Sequence, residues 1–122
     1  MLSVSPGTRI YLATEPVDLR RGHDGLTALV RARFGMDPLQ GHLFVFVGRR
    51  VDRVKILFWD RGGFVVYYKR LAQGRFRMPN VESGADRVVL DGTELAMLLG
   101  GFDLATTRRA TAWQPRSGQR VA

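Results

Sequence analysis

A chain of 122 residues with 45% hydrophobic and 25% charged residues fits one folded domain, and this composition excludes disorder along its whole length. It has no cysteine, which excludes disulfides and thiolate metal sites and is expected of a reducing compartment. The formal net charge of +8, from 19 Lys+Arg against 11 Asp+Glu, makes a polyanion the first partner to consider.

The opening segment MLSVSPGTRIYLATEP lacks a basic stretch followed by an apolar core, and no apolar run approaches the length of a membrane span. A cytoplasmic protein with no membrane partner is expected. Thr8 to Ala13 is a short β-rich run closed before Glu15-Pro16, because proline pushes its predecessor away from helix. Beyond Asp18 the period changes: Leu26, Leu29, Val30 and Phe34 form the stripe of an amphipathic helix that stops at Gly35. Asp18 is the candidate cap, while Gly22 and Gly25 weaken the first turns and leave Arg20 to Gly25 as a loop for packing or for an anionic ligand.

Residues 42–48, 53–59 and 64–71 read as three antiparallel strands, the last two joined by Asp60-Arg61-Gly62-Gly63, whose glycines suit a tight hairpin. Alternation in the middle strand sets Arg53, Lys55, Leu57 and Trp59 on one face and Val54, Ile56 and Phe58 on the other. The apolar face is expected to pack on the helix and the mixed face to stay partly open. Weaker strands are predicted at 75–78 and 87–90. Asp91-Gly92-Thr93-Glu94 resembles a capping box and opens a second helix with Leu95, Leu98 and Leu99 on one face, ending at Gly100-Gly101. After Leu104 the chain carries Arg108, Arg109, Arg116 and Arg120 with no acid, and reads as a flexible basic tail with Trp113 as a lone aromatic. The expected architecture is α+β, an antiparallel sheet of about four or five strands with two helices, forming a single domain over 1–103 with a tail over 104–122.

Catalytic chemistry is hard to find. His23 and His42 lie in different elements, and neither belongs to an HExxH or HxH arrangement; there is no G-x-S-x-G, GxxxxGK[ST] or GxGxxG. A two-metal site would have to draw on Asp18, Asp24, Asp60, Asp91, Glu94 and Asp103, several of which already serve as caps or turn residues. The expectation is no enzyme, no cofactor and no metal, with a metal-dependent nuclease as the remote alternative.

Binding chemistry is easier to find. From Arg49 to Arg77 there are nine cations against two acids, a local charge of +7. Arg49, Arg50, Arg53, Lys55, Lys69, Arg70, Arg75 and Arg77 are the candidate phosphate contacts. Phe44, Phe46, Trp59, Tyr67, Tyr68 and Phe76 are interleaved with them as on nucleic-acid surfaces, where rings stack on bases. Alternation requires some of these rings to be core; Trp59, sharing a face with Lys55, is the stacking candidate. Only Lys55 and Lys69 among the basic residues are lysines, and guanidinium groups pair with phosphate in a way ammonium groups cannot. The alternative is a solvated sheet face whose arginines pair with Asp52, Asp60 and the acidic stretch from Val81 to Asp103.

The runs VDLRRGHDGL at 17–26 and GHLFVFVGRRVDRVKILFWDRGGFVVYYKRL at 41–71, with GRF at 74–76, resemble the TnpB-type accessory protein of the insertion sequence 66 family, its second open reading frame product. His23 stands where that pattern has an aromatic residue, and the tail lies outside the resemblance. The resemblance implies a component of a bacterial mobile element that assists a separate transposase and does not cut DNA itself, and it supplies no ligand residues. The function expected is therefore a non-catalytic accessory role in transposition, with DNA bound through the basic strands. The alternative is a module that docks on the transposase or on the other accessory protein without touching DNA; pairing of edge strands into a homo-oligomer is a further option.

Overall fold

Two short strands, β1 (Ile10–Ala13) and β2 (Leu43–Val47), are buried at every residue, the pattern of strands covered on both faces. In the computed structural model, which describes residues 6–100, they are joined by β3 (Arg53–Asp60), β4 (Gly63–Arg70) and β5 (Arg87–Leu90) in one sheet of order β4-β3-β2-β1-β5. The expected tail, Trp113 and the boundary at 103 lie outside the described residues. The fold is α+β, with two helices and five strands as expected. One pairing departs from the antiparallel expectation: β1 runs parallel to β2, with Ile10 opposite Leu43. The cause is the first helix, α1 (His23–Phe34), since a crossover of that length returns the chain in the same direction.

The helix α1 buries Leu26, Thr27, Val30 and Phe34 and is stopped at Gly35, which has φ 60°. Its cap is Gly22, not Asp18. Asp18 instead accepts a hydrogen bond from the Arg20 backbone N–H two residues on, the local turn that aspartate favours outside helices. A single 3-10 turn, Pro38–Gln40, was not anticipated; Asp37 accepts from the Leu39 N–H at its start. The second helix, α2 (Gly92–Leu99), opens with the anticipated capping box: Glu94 N–H donates to Asp91, and Asp91 N–H to the Glu94 carboxylate.

The two helices lie on opposite faces of the sheet. On one face Leu26, Val30 and Phe34 of α1 pack with Tyr11, Phe44, Phe46 and Leu57. On the other, Leu95 and Leu98 of α2 pack with Leu12, Val45, Val54, Ile56 and Phe76. This corrects the expectation that α1 covers the apolar face of β3: α1 sits on the mixed face, over Leu57, and α2 covers Val54 and Ile56. The alternation itself is as predicted. Residues 75–78 form no strand. Phe76 is buried as a plug in the α2 layer, and its N–H makes one bond, to the Val51 carbonyl at 2.7 Å.

The β3–β4 hairpin turns on Arg61 and Gly62, with φ of 42° and 89°, and positive φ at both central residues is the twist-matched hairpin geometry. Each helix ends on a cation from an edge strand. Arg87 of β5 donates to the Phe34 carbonyl at 2.8 Å and lies 5.5 Å from that ring's centroid. Lys69 of β4 donates to the Leu99 carbonyl at 2.7 Å. Both positions complement the negative end of a helix dipole.

Candidate functional site

Parallel pairing carries the chain leaving β1 and the chain leaving β2 to the same end of the sheet, the end at which ligands collect in sheets with parallel strands. The Val17 N–H donates to the Val47 carbonyl at 3.0 Å, and Leu19 lies over Gly48. A Cβ at Gly48 would stand 3.3 Å from Leu19 Cδ1, so glycine permits this close approach. Between the two connections opens a cleft of about 680 Å³. Its polar wall consists of Arg20, Arg49, Arg50, Arg53, Asp18, Asp52 and Tyr68; Val17, Leu19 and Gly48 complete it.

The turn that presents Arg49 and Arg50 is unusual. Val51 has φ 60°, a left-handed conformation that a β-branched residue adopts only when its surroundings impose it. The hydrogen bonds that impose it come from three segments: Val51 N–H to Gly48, Gly48 N–H to Arg53, Leu71 N–H to Asp52 and Phe76 N–H to Val51. Among the described residues neither Arg49 nor Arg50 has an ion-pair partner, and both are exposed.

Asp18 holds Arg20 at the rim. Its carboxylate accepts from Arg20 Nη2 at 2.7 Å, from Nε at 3.1 Å and from the backbone N–H at 3.0 Å. The Arg20 side-chain bonds, then the backbone bond, hold the Asp18 carboxyl well below the usual carboxylate range and raise Arg20 in turn. Deeper in, Arg53 Nε lies 3.6 Å from Asp52 Oδ1 and makes no hydrogen bond. Arg53 also stands directly opposite Arg70 across the β3–β4 ladder, and like charges so placed repel. The adjacent pair is Lys55 and Tyr68, with the ammonium 5.1 Å from the ring centroid and donating to the Arg21 carbonyl at 2.9 Å.

The predicted contacts thus separate into groups. Arg49, Arg50 and Arg53 come together in the cleft, with Arg70 opposite Arg53. Arg75 and Arg77 are exposed on either side of Phe76, whose bond to Val51 brings them alongside the same turn. Lys55 is near but engaged with Arg21. Lys69 is on the opposite face, bound to α2. Trp59 stands six residues from Arg53, roughly 20 Å along the strand, half-buried against Phe64 at 5.0 Å. Phe44, Phe46 and Phe76 are core. Tyr68 is the exposed ring, at 51%. Tyr68, one of the interleaved rings, joins the site, as do Arg20, from the loop expected to serve packing or an anionic ligand, and Asp18, expected as a helix cap. The signal was the strand–helix–strand order, which implies parallel strands and so sets the Arg20-Arg21 and Arg49-Arg50 pairs at one end.

Residues 8–109 match the family described as IS66 Orf2 like protein. The chain belongs to this family. The family ties it to insertion-sequence transposition in an accessory role. This IS66 Orf2-like chain is 38% identical over 115 residues to the uncharacterized protein y4jC of Sinorhizobium fredii, covering 94% of this chain and 97% of that one. It is 34% identical over 115 residues to y4hO of the same strain, covering 94% and 96%. No solved structure matches it. Among the described residues, no helix is long and apolar enough to cross a membrane, and no three His, Asp or Glu side chains are grouped as metal ligands.

Proposed function

We propose that this accessory protein binds DNA directly and without catalysis, gripping backbone phosphates with Arg20, Arg49, Arg50 and Arg53 and extending the contact through Arg70, Arg75 and Arg77. The observation that carries this reading is the gathering of four guanidinium groups, three from two loops and Arg53 from the start of β3, into one cleft against two carboxylates. Guanidinium forks match phosphate oxygens in pairs, and the strained Val51 backbone is the kind of feature retained at binding sites.

The test is fluorescence-anisotropy binding of nuclease-treated protein to DNA with and without transposon-end sequence, over a salt series. With about five phosphates engaged, the log–log slope should be near −4 to −5 on duplex DNA. Changing Arg49, Arg50 and Arg53 together to alanine should weaken binding much more than the charge-matched change of the exposed Arg9, Arg31 and Arg61. Equal losses, or a slope near zero, would remove the cleft from the account.

A second reading is docking on the transposase or the other accessory protein. It draws support from the outer edge of β4, an eight-residue strand with no neighbour on that side among the described residues, and such edges accept a further strand. It predicts a complex with one of those proteins that survives nuclease treatment, and little affinity for DNA alone.

A further inference from the structure

We infer that the cleft takes one unpaired nucleotide of DNA, its phosphate among Arg49, Arg50 and Arg53 and its base laid on Tyr68. This rests on the DNA-binding reading above and narrows it from DNA in general to unpaired strands.

Shape is the first argument. A cleft of about 680 Å³ falls within the roughly 300–1,000 Å³ of pockets that enclose a small ligand. A duplex is a convex rod with its base faces stacked inside, so it could touch the rim of such a cleft but would leave its interior unused. An unpaired nucleotide offers both a phosphate and a free ring face.

The placing of Tyr68 is the second. It is a large aromatic side chain left 51% exposed at the wall of the cleft, yet it is held in place. The Lys55 ammonium sits 5.1 Å from its centroid and is itself tied to the Arg21 carbonyl. The ring face away from Lys55 is a stacking platform for any base. Tyr68 is opposite Lys55, and Arg53 is two residues along the partner strand. This is a diagonal separation of about 7–8 Å between backbones, which a nucleotide can bridge from phosphate to base.

Electrostatics favour an anion at the same place. Arg53 faces Arg70 across the ladder, and its Nε has no acceptor. That nitrogen is closed off from solvent while the side chain as a whole is 38% exposed, so an anion at its outer end would screen the repulsion between the two guanidinium groups and give Arg53 an oxygen to bond. Asp52, at 3.6 Å from Nε, is too far to do so.

The experiment compares three labelled probes by anisotropy at fixed salt: a short oligothymidylate, an abasic oligonucleotide of the same length, and a duplex of that length. Each is measured against the wild type, Tyr68→Leu and Tyr68→Phe, with thermal melts to establish that the variants fold. The oligothymidylate should bind more tightly than the duplex. Affinity should fall about tenfold when the bases are removed or in Tyr68→Leu, the effect of one base–aromatic stack, and should be retained in Tyr68→Phe. Duplex binding as tight as single-strand binding, unmoved by Tyr68→Leu, would overturn this inference and leave the DNA-binding reading standing. Binding of none of the probes would overturn both.

Discussion

Lys69 separates a reading by charge from a reading by structure, because its sequence neighbours place it on a phosphate track and its contacts place it in the scaffold. Its ammonium donates to the Leu99 carbonyl at 2.7 Å from a partly buried position. Leu99 ends α2, a helix of eight residues, and the last four carbonyls of any helix lack partners within it. Changing Lys69→Met keeps the apolar stem and removes the donor and the charge. A charge-assisted bond at a helix C-terminus of this kind is worth about 1–2 kcal/mol. For a domain near 100 residues that lowers the melting midpoint by about 4–8 °C per kcal/mol. Circular-dichroism melts, run beside the anisotropy assay, should therefore show a fall of at least about 4 °C with DNA affinity unchanged when measured well below the midpoint. An unchanged midpoint accompanied by a several-fold loss of affinity would return Lys69 to the DNA surface and refute the reasoning.

Phe76→Ala should cost about 3–5 kcal/mol in urea unfolding, since the ring is buried against α2; a cost under 1 kcal/mol would mean that the 71–80 segment is not anchored by it. Arg61→Asn should raise stability by roughly 0.5 kcal/mol or more, because asparagine tolerates the left-handed φ of 42° that arginine adopts at a cost; a lowered melting midpoint would contradict the turn geometry. The Asp18 carboxyl, depressed first by its Arg20 side-chain bonds and then by the backbone bond, should show no titration by NMR between pH 8 and pH 4. Because its folded pKa lies below the unfolded value of about 3.9, its contribution to stability is present above that pH and is lost as pH falls through the folded value. An ordinary carboxylate midpoint near pH 4 would show that the Arg20 pair does not persist in solution.

The features that were legible in the sequence are those set by residues close together in it. The α1 stripe, the β3–β4 hairpin and the Asp91–Glu94 box are all of this kind, and each stands where it was expected. The errors come from contacts between distant segments. The RFRM run at 75–78 has strand-like alternation, but Phe76 is drawn into the α2 layer and the backbone follows it. The face of β3 carrying Arg53, Lys55 and Trp59 stays partly open as expected, but α1 was assigned to the other face, whereas it packs over Leu57 on this one. For the site, the Arg49–Arg53 half was visible as a local run of charge. The Arg20 half was legible only as a loop for packing or an anionic ligand; its meeting with the Arg49 turn was not, because the two join through the parallel pairing of β1 and β2, residues some thirty apart in the chain.

The distribution of acceptors explains why these cations divide as they do. Lys55 donates to the Arg21 carbonyl, Lys69 to Leu99 and Arg87 to Phe34, so both lysines and one arginine are used on backbone oxygens at or near helix termini. A compact ammonium on a flexible stem suits a single carbonyl, whereas a guanidinium satisfied by one oxygen leaves most of its donors unused. Arg49, Arg50, Arg70, Arg75 and Arg77 have no ion pair among the described residues and lie on or beside the turn held by Val51. Arg53 and Arg70 also repel across the ladder. That repulsion falls at the end of the sheet where the chains leaving β1 and β2 converge. Acceptor supply therefore separates the cations that hold the fold together from those that carry no such bond at the Val51 turn.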